Sequence, residues 1–185
     1  RTLGIWGYGK IGRLVAGYGR AFGMQVQVFG REKSIAEASA DGYATVDRAT
    51  LMASSDVVSL HVRLIPETRG LVTAEDLARM KPTALLVNTS RAELVEPEAL
   101  ITGLNRGHPG MAAIDVFESE PILQGHALLR RQEARLAAMG ADADHVHSVI
   151  TQEAAEQFKV YLSHYETKDL LARAMASPTC TPSKP

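Results

Sequence analysis

The chain has 185 residues, 45% of them hydrophobic and 22% charged, which suits one soluble globular domain with an appendage. Its 20 basic and 21 acidic residues leave a formal net charge of -1, so there is no basic field to hold nucleic acid, and no apolar run reaches the ~18 residues that span a bilayer. Cys180 is the one cysteine; an intrachain disulfide is excluded and a reducing cytoplasm is expected.

The predicted elements alternate. A strand over Leu3–Trp6 leads into Gly7-Tyr8-Gly9-Lys10-Ile11-Gly12 and then an amphipathic helix to Phe22, with Ile11, Leu14, Val15, Tyr18 and Phe22 at three- and four-residue steps. Val26–Phe29 reads as a strand, Ser34–Ala40 as a short helix, and Asp56–Val62 as a buried strand. Thr73–Met80 is helical, with Thr73 suited to cap it and Pro82 to stop it. Ala84–Val87 is a strand. Glu96–Asn105 is a helix with Pro97 in its first turn and Gly107 past its end, and Met111–Val116 is the last clear strand. Apolar strands between amphipathic helices predict an α/β fold, a doubly wound parallel sheet covered on both faces. From about Gln124 the character changes. A charged helix is expected over Leu128–Met139, a long amphipathic helix over Gln152–Met175, and a disordered Pro-rich tail from Ser177. The organisation expected is therefore a dinucleotide-binding domain over 1–129, a helical C-terminal segment over 130–176 and a tail over 177–185.

The glycine motif carries the first chemical expectation. Behind a strand and ahead of a helix, Gly7 permits a sharp turn, Gly9 admits a pyrophosphate close to the backbone, and Gly12 lets helix and strand pack closely. The helix N-terminus then presents free N–H groups to the phosphates. Roughly 20 residues on, Phe29-Gly30-Arg31-Glu32 closes the second strand, where an acidic residue grips the ribose of NAD or an arginine accepts the extra phosphate of NADP. Gly30 stands at the usual acidic position and Arg31 follows it, so the lean is to NADP, while Glu32 keeps NAD open. Arg91, in Asn88-Thr89-Ser90-Arg91, leaves a strand at the sheet's carboxyl edge and suits a substrate carboxylate. Asp115, Glu118 and Glu120 leave the next strand in the same way, to hold a cofactor amide and to orient and charge a histidine. No metal site is expected.

With these pieces placed, the run from Thr2 to about Leu129 resembles the nucleotide-binding domain of the D-isomer-specific 2-hydroxyacid dehydrogenases. The resemblance rests on Gly7–Gly12, on Ser59-Leu60-His61-Val62 with Pro66-Glu67-Thr68-Arg69-Gly70, and on Met80-Lys81-Pro82. It continues through Leu86–Arg91 and Ala113–Pro121, in the family's order. It implies a Rossmann fold, a nicotinamide coenzyme (NAD or NADP), hydride transfer to or from a small 2-oxo or 2-hydroxy acid, and a homodimer formed through this domain. It also implies that Arg91 binds the acid's carboxylate and carbonyl, that Glu120 pairs with the catalytic histidine, and that Asp115 lies near the nicotinamide carboxamide. Gly7, Gly9 and Gly12 form the pyrophosphate loop, with Lys10 and Ile11 supplying backbone donors.

The departures shape the expectations as well. Arg63 stands where the family usually carries a proline. No Pro-His pair follows Pro121, so the histidine must come from His126, His145, His147 or His164; of these, His147 precedes a long predicted helix as the family's histidine does. The chain enters its first strand at once from Arg1, from which a missing upstream substrate domain is expected. Two functions compete: a 2-hydroxyacid dehydrogenase, whole or truncated, and a catalytically inactive coenzyme-binding module that senses or associates. A third, a Rossmann hydrolase that retains NAD, is disfavoured by Arg91 and Glu120.

Overall fold

A computed structural model describes residues 1–118, 126–128 and 130. Almost all of these belong to one compact unit, Arg1–His126. The predicted helices over Leu128–Met139 and Gln152–Met175 and the tail from Ser177 lie outside the described residues, but for Leu128 and Arg130.

The described unit opens with β1 (Thr2–Trp6), α1 (Lys10–Ala21), β2 (Gln25–Phe29), α2 (Glu32–Ala40), β3 (Ala44–Thr45) and α3 (Arg48–Ser54). It continues with β4 (Val57–Leu60), α4 (Ala74–Arg79), β5 (Leu85–Asn88), α5 (Ala99–Arg106) and β6 (Met111–Ile114). The six strands are all parallel in the order β3-β2-β1-β4-β5-β6. The order reverses beside β1, and in such sheets ligands bind outside the carboxyl ends of the strands at that reversal. Alternate strand residues fill two cores. Leu3, Ile5 and Val28 pack with Ala16 and Ala38 on one face, while Trp6, Val58 and Leu86 pack with Leu51, Met52 and Leu77 on the other.

Within residues 1–118 the elements expected from periodicity are present, with informative differences. β3 and α3 were not legible: two strand residues and a seven-residue helix rich in small and hydroxyl side chains are too short to show a period. α4 starts at the expected cap, where the Thr73 hydroxyl accepts from the Asp76 backbone N–H while the Asp76 carboxylate accepts from Thr73 N at 2.8 Å. α5 begins at Ala99, so Pro97 lies outside it rather than in its first turn. Glu96 is held outside the helix, its N–H donating to Val72 O and its carboxylate accepting from Ala74 N, which postpones the helix cap to Glu98. Gly107 closes α5 in the left-handed region at φ 81°, as expected.

The steps of α1 identify a helix but not the face that it buries. Gly12, Ala16 and Gly19 turn to the sheet, and Ile11 (65%), Leu14 (59%), Tyr18 (61%) and Phe22 (83%) are exposed. The cause is close approach. A Cβ on Gly12 would lie 2.1 Å from Gly7 O, and one on Gly19 would lie 2.4 Å from Leu3 Cδ2. Only the small-residue face fits at that separation.

A buried carboxylate ties the second face together. Asp76 accepts from Arg48 Nε at 2.7 Å and from the Arg48 terminal nitrogen, while Arg48 also donates to Leu71 O at 2.7 Å and lies over the Trp6 ring. Burial alone pushes the Asp76 carboxyl up, but the bonds from Arg48 and Thr73 outweigh it and hold it below its ordinary 3.8. A carboxyl depressed in the folded state contributes stability at pH above its unfolded value, and that contribution is lost as pH falls through the folded value. Urea denaturation should therefore show stability falling with acidification below about pH 4, and Asp76→Asn should flatten part of that fall. An unchanged pH profile in Asp76→Asn would remove Asp76 from the account.

Candidate functional site

The carboxyl ends of β1, β2 and β4 meet at Gly7. Its N–H donates to Phe29 O at 2.8 Å, and His61 N donates to Trp6 O at 2.8 Å. Gly7 has φ 99°, and a Cβ there would lie 2.6 Å from His61 O, so conformation and crowding both demand glycine. Tyr8 anchors the loop from below. Its ring is buried, meets Tyr43 edge-on at 5.7 Å, and its hydroxyl donates to Asp41 at 2.7 Å; burial and that carboxylate push the phenol up to about 12.

Gly9 differs from its neighbours. It is extended at φ -93°, and a Cβ there would meet nothing among the described residues within 4 Å. The packing of the described residues gives no reason for glycine at this position, whereas a ligand approaching the helix start would. Gly9 caps α1 with no side-chain bond, and no acidic residue occupies the first turn. The first N–H groups of the helix, including those of Lys10 and Ile11, thus have no side-chain cap and form its positive dipole end. Loop and helix start together fit a pyrophosphate.

β2 delivers Gly30 and then Arg31, which is exposed and caps α2. A Cβ on Gly30 would lie 3.0 Å from Ser34 Cβ, so an acidic side chain there needs Ser34 to give way. Among the described residues Arg31 makes no ion pair, and Glu32 opens the helix behind it.

Arg91 follows β5 by way of a polar staple. Asn88 is buried; its Nδ2 donates to Arg91 O at 2.9 Å and its Oδ1 accepts from Ser90 N at 3.1 Å. The Ser90 hydroxyl donates to Leu60 O at 2.7 Å, tying this turn to β4. The next segment pairs with the chain before α4: Val72 N donates to Leu94 O and Glu96 N to Val72 O, each at 2.9 Å. Arg91 itself is exposed, its guanidinium resting on Ser90 O at 2.7 Å. Asn88 and Ser90 are positioning residues that motif reading quoted without assigning a role. The available signal was a polar side chain ending an apolar strand, where a buried amide must find partners.

Asp115 is exposed just past β6, and its N–H donates to Asn88 O at 3.1 Å, so it leaves the edge beside Arg91's strand. Glu118 lies 3.8 Å from His126 Nε2, and the His126 ring meets Phe117 edge-on at 5.8 Å. Glu120 and His147 lie outside the described residues, as do His145 and His164. A further histidine emerges: His61, half-buried at the end of β4, with Nε2 at 3.0 Å from the Ser59 hydroxyl. Burial depresses it, which keeps the ring neutral near pH 7.

Parallel strands in this order, with a strand–glycine-loop–helix start at the reversal, define a doubly wound dinucleotide-binding protein. The family description "D-isomer specific 2-hydroxyacid dehydrogenase, NAD binding domain" matches residues 1–141, and the chain belongs to that family. It is 37% identical over 161 residues to a D-3-phosphoglycerate dehydrogenase of Synechocystis sp., covering 86% of this chain and 29% of that protein. It is 41% identical over 145 residues to a glyoxylate reductase of Korarchaeum cryptofilum, covering 78% of this chain and 44% of the relative. A solved Ralstonia solanacearum oxidoreductase, described as a candidate D-3-phosphoglycerate dehydrogenase, superposes with a TM-score of 0.70 at 67% identity, over 70% of this chain and 38% of that one. The chain thus spans less than half the length of these relatives.

Proposed function

We propose that this chain binds a nicotinamide dinucleotide and serves the oxidation or reduction of a small 2-hydroxy or 2-oxo acid such as glyoxylate, hydroxypyruvate or phosphoglycerate. The observation that carries the reading is Gly9: an unpacked glycine at an uncapped helix start, set between two glycines that the fold itself requires. The bound coenzyme supplies hydride to, or takes it from, the acid's second carbon. Arg91 receives the carboxylate with paired N–H donors. Glu120 holds a histidine in its protonated form, and His147 is our candidate for that proton donor and acceptor. Asp115 orients the carboxamide. Gly7, Gly9, Gly12, Lys10 and Ile11 hold the pyrophosphate, and Arg31 favours NADP, its guanidinium being free of ion pairs among the described residues. A cytoplasmic setting suits the single cysteine, and no described helix is long and apolar enough to cross a membrane.

A second reading, a coenzyme-binding module without turnover, is favoured by the absence of a Pro-His pair after Pro121. Assays with NADPH and with NADH, using glyoxylate and hydroxypyruvate, separate the two. Turnover that Arg91→Gln abolishes while coenzyme binding persists supports the dehydrogenase. Tight coenzyme binding with no turnover supports the module.

We also propose a homodimer. The stripe of Ile11, Leu14, Tyr18 and Phe22 is too regular to be scattered surface apolarity, and a second copy covers it with the same stripe. Sedimentation should show a dimer that Tyr18→Glu with Phe22→Glu converts to a folded monomer. A wild-type monomer at micromolar concentrations would end this part of the proposal.

A further inference from the structure

Two arginines flank the glycine loop, and only one has a role above. Gly30 lies against Gly7 from the β2 side, since a Cβ on Gly30 would come 3.8 Å from Gly7 Cα. Val62 lies against Gly7 from the β4 side, since a Cβ on Gly7 would come 3.2 Å from Val62 Cγ2. The next residue on each side is an arginine, Arg31 and Arg63. β1 separates the two strands, so their ends stand about 10 Å apart across the crevice, a gap that a nucleotide's ribose and phosphate can bridge.

Arg63 is set up to present charge. Its carbonyl accepts from the Thr68 hydroxyl at 2.8 Å, and the same hydroxyl accepts from Ile65 N at 2.8 Å, which pins the turn after β4. The side chain is exposed and makes no ion pair among the described residues, although Glu67 lies in the same turn and Glu32 follows Arg31. A guanidinium held on a fixed backbone, with no carboxylate partner among the described residues, is a cation to which the described fold gives no structural task.

We infer that Arg63 is a specificity-determining residue for the coenzyme: it takes the adenosine 2′-phosphate of NADP from the β4 wall of the crevice, opposite Arg31. The inference rests on the NADP reading given above and adds a second clamp to it. Two guanidinium groups on opposite walls enclose a phosphate that one alone would leave half in water.

Calorimetric titration of the full 185-residue chain with NADPH and NADH tests this, with Arg63→Gln, Arg63→Lys and Arg31→Gln alongside wild type. The expected result is that Arg63→Gln weakens NADPH about tenfold and leaves NADH within about twofold, with Arg63→Lys intermediate. Unchanged thermal unfolding of Arg63→Gln shows that the loss is not one of folding. If NADPH and NADH weaken equally, Arg63 serves the shared part of the coenzyme and the inference fails. If Arg31→Gln weakens NADPH selectively and Arg63→Gln does not, the NADP reading stands and Arg63 has no part in it. A wild-type chain that binds both coenzymes alike overturns the NADP reading and this inference together.

Discussion

Gly9→Ala should leave stability within about 0.5 kcal/mol of wild type yet weaken coenzyme binding about a hundredfold. The extended φ of -93° is open to alanine, and none of the described residues lies within 4 Å of the new methyl group. The methyl would instead occupy the space proposed for phosphate oxygens approaching the helix amides. Losing one or two charge-assisted bonds of roughly 1.5–3 kcal/mol each gives the stated effect, at about 1.4 kcal/mol per tenfold. Gly12→Ala is the necessary contrast. Its methyl would sit 2.1 Å from Gly7 O, so α1 must shift away from β1, and both stability and binding should fall, the former by roughly 1–3 kcal/mol. Calorimetry and urea denaturation on the two variants make the comparison. If Gly9→Ala binds coenzyme as wild type does, the open space above α1 is not where the pyrophosphate lies.

Tyr8→Ala should destabilise the domain by roughly 3–5 kcal/mol, the cost of emptying a fully buried aromatic site. The effect is large because Tyr8 joins three parts of the fold. It lies within the glycine loop, packs on Tyr43 and bonds to Asp41 past the end of α2, and Arg13 of α1 covers its ring at 5.3 Å. Tyr8→Phe should cost much less, about 0.5–1.5 kcal/mol, because the ring stays and Asp41 keeps Arg13 at 3.2 Å. Chemical denaturation measures both. Near-equal losses in the two variants would show that the hydroxyl, not the packing, holds the loop. Coenzyme affinity should fall in Tyr8→Ala even where the domain remains folded, since the loop loses the side chain that fixes its height above the sheet.

Both predictions concern a stretch that is legible in the sequence. Gly7, Gly9 and Gly12 could be read because their spacing between an apolar run and a helical period has few other physical uses. Arg91 and Asp115 were legible as charged residues leaving consecutive strands. Asn88 was not, because its task is to satisfy the backbone of a turn, and hydrogen bonds to a turn leave no period. Arg63 stood out as a residue in an unexpected place. That the residues just before Arg63 and Arg31, Val62 and Gly30, both lie against Gly7 follows only from β1 lying between β2 and β4. The Arg48–Asp76 clamp joins positions 28 residues apart and is likewise invisible to local pattern.

By itself, the sequence determined the alternation of strands and helices, and with it the parallel sheet, because hydrophobic period and glycine punctuation are local properties of the chain. It also carried the expectation of a phosphate-bearing ligand at the first turn, since free helix amides need no distant partner. Tertiary structure alone decided which face of α1 meets the sheet. Periodicity marks Ile11, Leu14, Tyr18 and Phe22 as one apolar stripe, yet the distance between α1 and β1 admits only Gly12, Ala16 and Gly19. That distance is set where Gly12 meets Gly7 O and Gly19 meets Leu3, contacts that exist only once the helix has folded back on its strand, and it turns the larger side chains outward.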